Sequence, residues 1–225
     1  MENSSVDSSL IDHTLLRPDA DEASIRRLCR EGVAFSFAAV CIMPWWVPVA
    51  VDELSRLEET IVICAPIGFP LGMHATECKR TEAKIALRDG ARELDMVIAI
   101  GALKSGDDAS VEQDIRRVTD IVHEQQGLLK AIIETSLLTD DEKKRACELA
   151  VRGGADYVKT STGFSNGGAT VEDVRLMRSI VGMTVGVKAS GGIRDRQTAA
   201  QMIAAGATRI GTSSGPAIML GDTEP

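Results

Sequence analysis

At 225 residues, 44% hydrophobic and 26% charged, the chain has the length and composition of one globular domain with a sizeable core. A formal net charge of −8 argues against a nucleic-acid groove or an anionic membrane surface as the main partner. It leaves room for a small phosphorylated ligand, because backbone amides at a helix start bind phosphate without a basic patch.

The five cysteines (Cys29, Cys41, Cys64, Cys78, Cys147) are odd in number, scattered, and contain no Cys-x-x-Cys pair. They read as reduced, mostly buried thiols of a cytoplasmic protein, ahead of a disulfide frame or a zinc site. Residues 1–9 are polar, lack the apolar block of a signal peptide and read as a loose segment. No run approaches the length of a membrane span.

In chain order, residues 10–16 read as a strand with polar residues at its middle, and Arg17-Pro18-Asp19 breaks it. Helical spacing follows over 21–31 through Ile25, Leu28 and Cys29, with Gly32 as the stop. The continuous apolar run 35–43 predicts a strand buried on both faces, and Pro44 opens a helix. The alternation continues with strand 61–67, helix 76–89, strand 93–98, helix 110–125 and strand 128–134. Next come a helix opened by Thr139, the Lys159 strand, helix 170–181, the Lys188 strand, helix 195–205, a short strand from Arg209 and a helical stub at 216–220. Eight β-α units with no dividing linker predict a single-domain α/β (β/α)8 TIM barrel over 10–220, with an open doubly wound sheet as the alternative.

The stretch Tyr157-Val-Lys-Thr-Ser-Thr-Gly163 places a lysine in a β-like run beside three hydroxyl residues. Lysine is a poor choice for a buried strand unless its amine has a partner or a task, although one at a strand edge can reach water along its own stem. Lys188 repeats the arrangement in Val185-Gly-Val-Lys-Ala-Ser-Gly-Gly192, about one β-α unit later. Two lysines facing one cavity disfavour each other's charge, which prepares an amine for attack on a carbonyl. Asp12, Thr14 and Asp95 also interrupt strands, and barrel enzymes place their chemistry at strand C-terminal ends. Asp12 could instead cap a loop and Asp95 form a simple ion pair, but several such residues at one end of one barrel favour a functional cluster.

His13 follows Asp12 directly, so on a strand it faces the helices, and a structural role is expected. His74 and His123 carry no signal. Cys41 reads as core rather than nucleophile, and Glu134 could line the mouth of a site. Gly163, Gly191 and Gly192, with Ser213 and Ser214, follow strands six to eight, where this fold usually cradles phosphate. A tight-turn reading of these glycines carries similar weight without that position.

These residues resemble the deoxyribose-phosphate aldolase family from Ile11-Asp-His-Thr-Leu-Leu16 to Gly211-Thr-Ser-Ser214. Between them lie Ala39-Val-Cys-Ile-Met-Pro44, Ile67-Gly-Phe-Pro-Leu-Gly72, Glu93-Leu-Asp-Met-Val97, Gly101-Ala-Leu-Lys-Ser-Gly106, Ile133-Glu-Thr135 and the two lysine motifs. The resemblance implies a class I aldolase that reversibly cleaves 2-deoxy-D-ribose 5-phosphate to acetaldehyde and D-glyceraldehyde 3-phosphate, with no cofactor and no metal. It implies Lys159 as the Schiff-base lysine, Lys188 as the lysine that tunes it, and Asp95 in a proton relay supported by Asp12 and Thr14. It further implies phosphate contacts at Gly163, Gly191, Gly192, Ser213 and Ser214, and a homodimer. Some members end in a terminal tyrosine that assists proton transfer; residues 221–225 carry none, so that assistance is expected to be absent or supplied by another group.

Overall fold

The computed structural model describes residues 6–221. Eight parallel strands pair in sequence order: β1 (Ile11–Leu15), β2 (Ala39–Ile42), β3 (Val62–Ile67), β4 (Glu93–Val97), β5 (Leu128–Ile132), β6 (Tyr157–Lys159), β7 (Gly186–Ser190) and β8 (Arg209–Thr212). The closing pair sets Asp12 of β1 opposite Gly211 of β8, which makes the sheet a barrel and rules out the open doubly wound alternative. Around it run α1 (Glu22–Ala34), α2 (Val47–Leu57), α3 (Thr76–Asp89), α4 (Ile100–Lys104), α5 (Asp108–Glu124), α6 (Asp140–Arg152), α7 (Val171–Val181), α8 (Arg196–Ala204) and α9 (Gly215–Leu220).

The helices begin where the side chains direct them. Asp21, Asp107, Thr170 and Asp195 each accept a backbone N–H of the first turn, and Thr139 forms a full capping box with Glu142. Along each strand, outward residues such as Val40, Ile42, Leu94, Met96, Leu129 and Val187 join the main core under the helices. The alternate positions face the barrel axis, where Ala39, Cys41 and Cys64 form only a small apolar cluster with Leu16. Charged side chains fill much of the remaining interior.

Several elements differ from the sequence expectation. The apolar run at 35–43 is a strand only from Ala39, because Phe35 ends α1 and Ser36 takes a left-handed φ of 53°. Phe35 and Phe37 stack with centroids 5.4 Å apart, so their burial is packing and not strand pairing. The helix opened by Pro44 starts as a 3-10 turn before α2, and α4 was not anticipated. Strand β5 stops at Ile132, and Glu134 bends the chain with a φ of 56°. Most of the loose segment expected at 1–9 and of the short tail expected at 221–225 lies outside the described residues. Within the described part, Asp7 caps a 3-10 turn at Ser8–Leu10. Among the described residues, no helix is long and apolar enough to cross a membrane.

Candidate active site

Strand alternation puts Asp12, Asp95, Lys130, Lys159 and Lys188 on the axis side of their strands, and register sets their heights. Asp95 pairs with Lys130 across β4 and β5, and Lys159 pairs with Lys188 across β6 and β7. At the bottom, Arg209 donates to Asp12 Oδ1 at 2.7 Å and to Glu93 at 3.2 Å. Above it, Lys130 lies 2.5 Å from Glu93 and donates to Asp95 Oδ1 at 3.0 Å. Lys188 donates to Asp12 and, at 2.7 Å, to Asp95 Oδ2. Lys159 completes the stack at the top with a 2.7 Å bond to the same Asp95 Oδ2.

The electrostatics follow from these contacts. Burial opposes ionisation of Asp95, but the ammoniums of Lys130, Lys159 and Lys188 outweigh it and hold the carboxyl well below the usual range. Asp12 is also penalised by burial, yet Lys188, Lys130 and Arg209 bring it down to about 2. Burial disfavours charge on Lys188 and Lys130 too, and the surrounding carboxylates reverse this, raising both above an ordinary lysine. Lys188 is therefore a fixed cation beside Lys159. Gly211 makes room for it, since a Cβ there would lie 3.0 Å from the Lys188 Cε.

Of the three lysines, Lys159 is the one that opens to space. It is 3% exposed and lines a cavity of about 520 Å³, whereas Lys130 and Lys188 are fully buried. Thr14, Gly163, Gly191, Gly192 and Ser213 line the same cavity, as do Arg17 and Arg194. Gly163 has a φ of +83° with open space where a side chain would stand, so backbone faces the cavity there. Ser214 lies just outside the wall, its N–H bonded to Thr212 at 2.9 Å. Thr14 turns its hydroxyl to the Asp12 carbonyl at 2.9 Å, which ties the cavity wall to the strand carrying Asp12.

Other sequence candidates are also placed. His13 bonds Glu31 of α1 at 2.7 Å, on the outer face of the barrel, as its structural role requires. Cys41 is buried against Cys64, whose thiol donates to Asp95 Oδ1 at 3.1 Å. Ligand atoms of Cys41, Cys64 and Asp95 lie within 4.8 Å of one another, but the three ammoniums already on Asp95 oppose a bound cation. Lys130, Glu93 and Arg209 belong to the stack although the sequence pattern did not single them out. Lys130 carried the same signal as Lys159, a lysine inside an apolar strand, and Glu93 shares a strand face with Asp95.

Comparison with known proteins agrees with this geometry. The family described as DeoC/LacD family aldolase matches residues 9–221. The chain belongs to that family. A deoxyribose-phosphate aldolase of Geobacillus sp. (strain WCH70) is 56% identical over 216 residues, covering 96% of both chains. One from Listeria monocytogenes is 53% identical, covering 96% of this chain and 95% of its own. Among solved structures, the aldolase QR15 superposes with a TM-score of 0.89 at 40% identity, over 95% of this chain and 94% of its own. The deoxyribose phosphate aldolase of Aeropyrum pernix, described as a unique tetramer, gives 0.88 at 34% identity, over 95% of this chain and 89% of its own.

Proposed function

We propose that this DeoC-family member is a class I aldolase that reversibly cleaves 2-deoxy-D-ribose 5-phosphate into acetaldehyde and D-glyceraldehyde 3-phosphate. The observation that carries the reading is the Lys159 amine at the floor of a cavity, held on Asp95 and backed by the fixed cation of Lys188. The interior sets three carboxylates (Asp12, Glu93, Asp95) against four cationic side chains (Lys130, Lys159, Lys188, Arg209). Of these side chains Lys159 is the one that meets the cavity, where its amine can reach a carbonyl carbon.

In the cleavage direction, Lys159 Nζ attacks the aldehyde carbon of the open-chain sugar, and water leaves to give a protonated imine. Asp95, bonded to that nitrogen, and an ordered water relay the protons at the nitrogen and at the departing hydroxyl. A base removes the C3 hydroxyl proton, and the C2–C3 bond breaks as its electron pair flows toward the imine. D-Glyceraldehyde 3-phosphate departs, and the enamine takes a proton at its terminal carbon. Water then hydrolyses the imine, releasing acetaldehyde and regenerating the amine. No step requires a cofactor or a metal. Asp12 supports the relay by holding Lys188, and Thr14 lines the cavity wall.

The phosphate end is assigned to the backbone and hydroxyls of Gly163, Gly191, Gly192 and Ser213, with Ser214 behind them. The cavity volume suits a five-carbon phosphosugar. A cytoplasmic homodimer completes the proposal, and light scattering reports the assembly. The central test is incubation with 2-deoxyribose 5-phosphate, reduction with borohydride and peptide mass spectrometry. A reduced adduct on Lys159 is expected. An adduct on Lys188 would reverse the two lysine roles, and none, with substrate still bound, would overturn the imine mechanism.

A further inference from the structure

Glu134 is a buried carboxylate that the chemistry above does not use. It is 1% exposed, sits just beyond β5, and takes a left-handed conformation (φ 56°, ψ 68°) that a non-glycine residue adopts at a cost. Its neighbours hold it there: the Ile133 N–H donates to the Lys159 carbonyl at 3.0 Å, and the Thr135 N–H to the Thr160 carbonyl at 2.9 Å. With the backbone so fixed, the side chain reaches the loop after β6. Its Oε2 accepts the Thr162 N–H at 3.1 Å and the Thr162 hydroxyl at 2.5 Å.

The Thr162 hydroxyl has one proton, and it goes to Glu134. Its oxygen is then turned to accept the Phe164 N–H at 3.0 Å. One carboxylate oxygen thus orders both bonds that brace the turn Thr162-Gly163-Phe164. Between the braced residues lies Gly163, whose backbone faces the cavity, and Phe164 leans edge-on against Phe69 with centroids 5.1 Å apart. Oε1 of Glu134 has no protein partner although it is buried. A carboxylate buried with half its acceptors unfilled is a poor stability device, which favours a role in geometry.

We propose that Glu134 is a positioning residue for the phosphate end of the cavity, aligning Gly163 through Thr162 and so setting the preference for phosphorylated over unphosphorylated sugar. This rests on the assignment of the phosphate to Gly163. Both 2-deoxyribose 5-phosphate and 2-deoxyribose are assayed with wild type, Glu134→Gln, Glu134→Leu and Thr162→Val, with inorganic phosphate as a competitive probe. Glutamine keeps an acceptor for Thr162; leucine keeps none.

Glu134→Leu is expected to lower kcat/KM for the phosphorylated sugar about tenfold more than for the unphosphorylated one, mainly through KM, and to weaken phosphate inhibition alike. Glu134→Gln should recover most of that preference, and Thr162→Val should lose it even if the leucine variant fails to fold. Equal losses on both sugars, or an unchanged preference in Thr162→Val, would overturn the role of Glu134 while leaving the phosphate site standing. A wild type with no preference and no inhibition by phosphate would overturn the phosphate assignment and the inference together.

Discussion

At the residue scale, the site is built around one carboxylate that serves three lysines. Lys130 takes Asp95 Oδ1, and Lys159 and Lys188 share Oδ2. Removing Lys159 leaves three carboxylates facing Lys130, Lys188 and Arg209, whereas removing Asp95 leaves three buried lysines short of a partner. The two variants should therefore separate activity from stability. Lys159→Ala is expected to lose at least about 10⁴-fold in kcat/KM while its unfolding midpoint stays at or above wild type. Asp95→Asn should lose activity and also about 3–5 kcal/mol of stability. Denaturant unfolding alongside the aldol assay decides it, and a Lys159→Ala protein as unstable as Asp95→Asn would contradict this balance of charge. Asp12, Asp95, Lys159 and Lys188 were legible because each interrupts an apolar strand. Lys130 interrupts its strand at the same level as Asp95, but its amine is spent on Glu93 and Asp95 inside the barrel and does not meet the cavity. Glu93 and Arg209 begin their strands, where a charge ordinarily signals solvent.

At the element scale, the helical periodicity located every long helix, and caps such as Thr139 and Asp195 marked where they start. Strand ends were less legible. Burial runs unbroken from Leu129 through Thr135, so hydrophobicity alone cannot show that pairing stops at Ile132 and that Glu134 turns the chain. Another feature hidden from periodicity is Lys79, fully buried on α3 together with Ala83, Ala86 and Leu87. It donates to the Val97 carbonyl at 3.0 Å and to Asp114 of α5 at 2.5 Å, tying two helices to the end of the strand that carries Asp95. Lys79→Met strands the Asp114 carboxylate and should cost about 3–5 kcal/mol. The double variant Lys79→Met/Asp114→Leu should regain a large part of that loss. A double variant no more stable than the single, by denaturant unfolding, would mean that packing around α3 and not the stranded charge carries the cost.

At the scale of the whole molecule, eight β-α units in one undivided domain predicted a closed barrel ahead of an open sheet, and the strand order bears that out. The β1–β8 pairing that closes the barrel also encloses the charged stack, so its ionisation becomes a property of the fold. Asp12 and Asp95 are depressed below the unfolded carboxyl value of 3.8, Asp12 to about 2. Their contribution is complete above that unfolded value and is lost as pH falls through the folded ones. Lys130 and Lys188 are raised above the ordinary 10.5, so their contribution is complete below 10.5 and is lost only as pH climbs past it to the folded values. Between these limits those four groups make no pH-dependent demand on stability. Below pH 4 the Asp12 shift alone withdraws about 2 kcal/mol on approaching pH 2, and Asp95 adds to it. Urea unfolding at steps from pH 6 to pH 2.5 should show a level stability that falls below about pH 4. Asp12→Asn, weaker throughout, should fall less steeply, because one of the two buried protons has nowhere to go. Parallel slopes for the two proteins would place the acid sensitivity in the surface ion pairs and not in the barrel interior.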